Sequence, residues 1–165
     1  MKSFGGHVAA AGLSIDESEV DAFRASFFEY AENETTNEDR VAELYIDVEA
    51  PLSQLTMRVV KQIEQLAPFG QGNLRPVLCA GNVELAETPR RMGGGDRNLS
   101  IKVRQHQAVL RGVAFGKGEW ADELAQVDGP IAIAFRPVIN EFRGRHTVEL
   151  HLLDWRVSQH AAVPG

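Results

Sequence analysis

Cysteine is nearly absent from this 165-residue chain: Cys79 stands alone. One thiol builds neither a disulfide framework nor a cysteine-rich zinc site, and it suits a reducing compartment. Long apolar runs are missing as well. No stretch approaches the roughly 18 residues a membrane-spanning helix needs, and the N-terminus lacks a basic-then-apolar signal segment. Internal repeats and low-complexity tracts are absent. At 44% hydrophobic and 24% charged, the composition is that of a soluble, cytoplasmic protein of one or two small domains, with no membrane partner.

What is there is an uneven charge. The net charge is −6. Residues 1–50 hold 3 basic side chains (Lys2, Arg24, Arg40) against 12 acidic ones. Residues 88–117 reverse the balance: Arg90, Arg91, Arg97, Lys102, Arg104, Arg111 and Lys117 face Asp96 alone. Charges interact over about 10 Å at ordinary salt, so a binding face responds to its own cluster rather than to the chain total.

The N-terminal part opens on Gly5-Gly6-His7 before the small residues Val8 to Ala11. If these start a helix, the unshielded amides approach an anion closely and His7 adds a donor. The same residues also suit a tight turn. Leu13 to Ile15 reads as a short strand. Asp16 with Glu19 then forms a capping signal, Ile15 and Val20 a hydrophobic staple, and Val20, Phe23, Phe27 and Tyr30 one helical face. A polar loop runs from Glu32 to Arg40, and Leu44, Ile46 and Val48 alternate as a half-buried strand. Residues 51–75 read as a connector, with a helix capped by Ser53, an apolar stripe at Leu55, Val59, Ile63 and Leu66, and a turn cluster from Pro68 to Asn73.

From 76 to 157 strand follows strand: Val77 to Leu85, bent at Gly81; Leu99 to Val103; Val109 to Phe115; then Ile131 to Phe135 and Val148 to Leu152. A helix around Glu119 to Gln126 precedes the fourth, and Gly144 serves the turn before the fifth. Five strands with a helix between the third and fourth is the order of an OB-fold, a Greek-key barrel, here in an α+β chain whose tail is 158–165. Phe115, Phe135 and Trp155 read as core.

An OB-fold binds oligonucleotides across its second and third strands and between two loops. Those loops are 87–97 and 140–145, both basic. The expected nucleic-acid-binding set is Arg90, Arg91, Arg97, Lys102, Arg104, Arg111, Phe142, Arg143 and Arg145, with guanidinium and ammonium groups offsetting phosphate and Phe142 stacking on a base. Met92 to Gly95 and Gly116 to Gly118 lack the Lys-Ser/Thr ending of a phosphate-binding loop. His146 and His151 are five apart, hence on opposite strand faces, and no third ligand accompanies them, so no metal site and no catalytic residue is assigned.

Three segments resemble a known family. Phe4-Gly5-Gly6-His7 with Ala9 to Leu13 is similar to the end of the DHHA1 domain of the DHH phosphoesterase superfamily. Leu66-Ala67-Pro68-Phe69-Gly70-Gln71-Gly72-Asn73, followed by Pro76, resembles the entry to the OB domain of the RecJ family of single-stranded-DNA-specific 5′→3′ exonucleases. Ile139 to Gly144 resembles that domain's last hairpin. Where RecJ relatives often carry His-Leu-Lys, this chain has Asn98-Leu99-Ser100.

The resemblance implies a DHHA1 remnant at 1–50 and Gly5, Gly6 and His7 as phosphate-binding residues. Manganese or magnesium belongs to an N-terminal DHH domain whose Asp-His-His triplet this sequence lacks. The chain is thus expected to be a C-terminal piece that partners that missing portion and single-stranded DNA, and that is inactive alone. The alternatives are an OB-fold protein-interaction module, or a piece of another DHH phosphodiesterase acting on oligoribonucleotides or cyclic dinucleotides.

Overall fold

The computed structural model describes residues 3–8, 10–34 and 43–158. Lys2, Ala9, Arg40, most of the expected 32–40 loop and all of the tail except Ser158 lie outside the described residues. The chain divides into two units, the first ending at Leu44 and the second beginning at Tyr45.

In the first unit, β1 (Ser3–His7) and β2 (Ala10–Ser14) form an antiparallel hairpin, with Gly5 opposite Gly12 and Gly6 opposite Ala11. The helical alternative is therefore overturned at the described residues His7, Val8, Ala10 and Ala11. The small residues serve close pairing instead: a Cβ on Gly6 would lie 3.1 Å from the Ala11 Cβ and 3.2 Å from the Ala10 carbonyl oxygen. A 3₁₀ turn at Glu17–Glu19 follows Asp16 and leads into α1 (Val20–Glu34). Phe23, Phe27, Phe28 and Tyr30 are all exposed on it, and Phe23 stacks on Phe27 at 5.9 Å.

The second unit opens on β3 (Val48–Glu49), far shorter than the alternation of 43–49 suggests, pairing parallel to β4 (Leu78–Leu85). The helix of the 51–75 segment also differs from expectation. Ser53 lies in a 3₁₀ turn, and α2 (Met57–Glu64) is capped by Thr56, whose hydroxyl accepts the Val59 N–H at 3.3 Å. The buried face is set by Val60, while Leu66 is exposed beyond the helix end. Leu52 and Leu55 join the core of the strands that follow. The Pro68–Asn73 turn closes on itself: Asn73 Nδ2 donates to the Leu66 and Pro68 carbonyls, and Arg75 covers the Phe69 ring at 4.4 Å.

Next come β5 (Arg90–Met92), β6 (Asn98–Gln105), β7 (Ala108–Ala114), α3 (Trp120–Ala125), β8 (Ile131–Phe142) and β9 (Arg145–Val157). Pairing runs β4-β8-β9-β7-β6, and β6 returns to β4 through Glu84–Arg104 and Leu85–Val103, which closes a ring of strands. Only the β7–β9 contact inside that ring is parallel. At Gly81 and Asn82 the β4–β8 register shifts, the bulge that lets β4 serve two partners.

The core follows from period-2 alternation. Leu99, Ile101 and Val103 of β6 point inward with Leu150 and Leu152 of β9, Ile133 and Phe135 of β8, and Leu124 of α3. Burying each such side chain contributes about 1.5–3 kcal/mol. Gly112 has no side chain because a Cβ would meet Ile101 at 3.0 Å and Leu152 at 3.3 Å. Gln105 ties the unit together, accepting the Leu52 N–H and donating to the Gly81 carbonyl, both at 2.8 Å.

Candidate nucleic-acid interface

Directly paired residues share a sheet face, so the ladders state which side chains surround one another. On the outer face, Arg90 pairs with Ser100, Lys102 with Arg111, Arg111 with Glu149, and Asn140 with Thr147. At the open end of β8 and β9, Phe142 pairs with Arg145 around a turn made by Arg143 and Gly144, both at positive φ. Arg111, Asn140, Phe142, Arg145 and Thr147 line a surface pocket of about 250 Å³. Strand geometry thus puts cations from four strands on one face, with Arg111 and Arg145 beside the Phe142 ring and the Thr147 hydroxyl.

Both expected loops are more regular than their composition suggests. Residues 90–92 are a strand on β6, with a glycine turn after it, and 140–142 and 145 belong to β8 and β9. The ladder of β6 fixes where Arg90 points. Phe142 is 66% exposed, with the Arg143 guanidinium 5.1 Å from its ring centre.

Not every expected cation lies here. Arg91 falls on the opposite parity and pairs closely with Asp122 of α3. Arg97 stays at the glycine turn, its Nε donating to the Gly94 carbonyl at 3.3 Å. Acids accompany others: Lys102 meets Glu87 at 3.1 Å, Arg104 meets Glu84 at 2.8 Å, and Arg111 meets Glu149 at 3.4 Å. Among the described residues Arg90 and Arg145 have no carboxylate within 4.0 Å. The Lys102 and Arg104 pairs are exposed and contribute only about 0–1 kcal/mol, so a phosphate can take the acid's place there.

Two neighbours on this face went unread in the sequence. Phe115, expected in the core, is 62% exposed and stands edge-on to His151. Its position two residues after Val113 gives it the outward parity of Val109 and Arg111, while the apolar run of 113–115 conceals that alternation. Arg136, cross-strand from His151, has its Nε buried with no hydrogen-bond partner. Phe135 is buried as expected, and Trp155 is half-buried against the core.

Residues 46–154 match the family described as RecJ OB domain. The chain belongs to the RecJ OB domain family. The match begins ahead of α2, so it takes in the Pro68–Asn73 turn as well as the strands. The chain is 29% identical over 159 residues to the single-stranded-DNA-specific exonuclease RecJ of Bacillus subtilis, covering 96% of this chain and 20% of that protein. It is 29% identical to the Escherichia coli RecJ, covering 91% of this chain and 26% of the relative. Thermus thermophilus RecJ in complex with Mn2+ superposes with a TM-score of 0.64 at 25% identity, over 95% of this chain and 22% of that one.

The RecJ resemblance is thereby borne out, and the chain spans about a quarter or less of the relatives' length. Manganese and magnesium occur in the Thermus RecJ structures. The described residues of this chain do not fit such a centre: no three His, Cys, Asp or Glu side chains among them are grouped to hold a metal ion. No helix among them is long and apolar enough to cross a membrane.

Proposed function

We propose that this chain is the strand-holding part of a RecJ-type 5′→3′ single-stranded-DNA exonuclease of DNA repair and recombination. Alone, it binds the strand and does not hydrolyse it. The observation that carries this reading is the outer face of β5 to β9, which presents Arg90, Lys102, Arg104 and Arg111 and, at one end, the exposed Phe142 ring paired with Arg145. Cations there offset phosphate charge, and the ring offers a stack that any base can use. Arg143 extends the tip. Arg91 and Arg97 fall to the edge of this set.

Hydrolysis belongs to a metal-bearing portion outside this chain, and Gly5, Gly6 and His7 on the exposed hairpin hold substrate phosphate when that portion is present. The four exposed rings of α1 support a second contact, with the remainder of the same enzyme. Self-association of the chain that Phe23→Ser and Phe27→Ser relieve would support it. The binding claim is tested by fluorescence anisotropy of labelled single-stranded and duplex oligonucleotides at low salt, with Mn2+ added in a parallel digestion assay. Binding that favours the single strand, without digestion, is expected; equal affinity for duplex, or metal-dependent digestion, would contradict it.

A further inference from the structure

Phe115 is the unexplained residue of the outer face. An exposed phenyl at the end of a strand serves no core, yet its surroundings hold it in place. Its ring centre lies 5.1 Å from that of His151, with the planes at 87°. His151 Nε2 in turn lies 3.5 Å from Glu149 Oε1, on a carboxylate that is only 7% exposed. Behind the ring, the Gly116 N–H donates to Asn98 Oδ1 at 2.9 Å, which fixes the turn that follows β7. An aromatic side chain braced by a neighbouring ring on a fixed turn loses less freedom when a flat ligand covers it.

Phe142 stands at the other end of the same face. Its partner Arg145 and the Phe115 partner His151 are six residues apart on β9. At about 3.3 Å per residue these two partners are about 20 Å apart along the strand. Arg111, paired with Glu149, lies between them, and Arg136 lies beside His151. This is an aromatic ring at each end with the Arg111 guanidinium between, the pattern a polyanion with flat bases fits.

We propose that Phe115, braced by His151, is a second base-stacking station, and that a single strand runs along β9 between it and Phe142. The inference rests on the single-strand-binding reading above and adds the path. At about 3.4 Å per stacked nucleotide the track spans at most about six nucleotides. That lies within the footprint of about 4–16 nucleotides seen for one such fold.

The test uses the 165-residue chain, a labelled ten-nucleotide oligothymidylate, and a ten-residue abasic oligomer of the same charge. Phe115→Ala and Phe115→Leu should each lose about 5- to 150-fold in affinity for oligothymidylate, Phe115→Trp should restore it, and the salt dependence should stay unchanged. None of the three variants should alter affinity for the abasic oligomer, which offers no base to stack. Equal oligothymidylate affinity for the parent and Phe115→Leu would overturn the station while leaving the binding reading intact. An equal loss on both oligomers would assign Phe115 a structural role and overturn it too. Failure of the parent chain to bind oligothymidylate at all would overturn the underlying reading and the station with it.

Discussion

Arg111 Nη1 lies 3.4 Å from Glu149 Oε2, so the central cation of the outer face rests on an almost buried acid. The same carboxylate accepts from Asn140 Nδ2 at 3.2 Å and has His151 Nε2 at 3.5 Å. It positions three side chains of the face, and it also subtracts one charge from it.

Glu149→Gln keeps the shape and most hydrogen bonds while removing that charge. Affinity for single-stranded DNA should rise several-fold, and binding should fall more steeply as salt increases, because phosphate then meets Arg111 without a competing carboxylate charge. Anisotropy titrations between low and moderate salt read both effects.

Arg111→Gln and Arg91→Gln should separate the two parities. Losing a phosphate contact to a single strand lowers the log–log salt slope by about 0.7. That change is expected for Arg111→Gln. Arg91, on the opposite parity against Asp122, should leave slope and affinity within error of the parent chain.

Gln105 bridges the 3₁₀ turn at 52–54 and the β4 bulge with two hydrogen bonds of 2.8 Å. Gln105→Ala leaves the Leu52 amide and the Gly81 carbonyl without that partner. A loss of about 1–3 kcal/mol in urea unfolding is expected, with little change in intrinsic strand pairing.

Burial, with Glu49 nearby, pushes the Cys79 thiol above its ordinary range, while Arg156 pulls the other way. The folded state therefore favours the neutral thiol. Any stability this provides is complete below the unfolded thiol's pKa and is lost as pH rises through the folded one. Iodoacetamide at mildly alkaline pH should alkylate Cys79 more slowly in the folded chain than in urea.

The ring of strands was legible because each inward face alternates cleanly, as Leu99, Ile101 and Val103 do, and because the element order restricts the topology. Gly81 and Gly144 announced a bulge and a turn that the structure contains. The Arg90–Met92 strand was hidden because three residues carry too little alternation to register. Thr56 was missed as a cap because the 3₁₀ turn before it displaces the helix start. Phe115 and Arg136 were missed for a shared reason: each sits beside apolar neighbours, and only the cross-strand pairing with His151 or its ring contact reveals which way it faces.

Backbone NMR of the labelled chain titrated with oligothymidylate reads the binding face residue by residue. Amide shifts should concentrate at Arg90, Lys102, Arg104, Arg111, Phe142 and Arg145, with α3 and the Arg91–Asp122 region unmoved. Shifts centred on α3 instead, with β6, β7 and β9 silent, would contradict it.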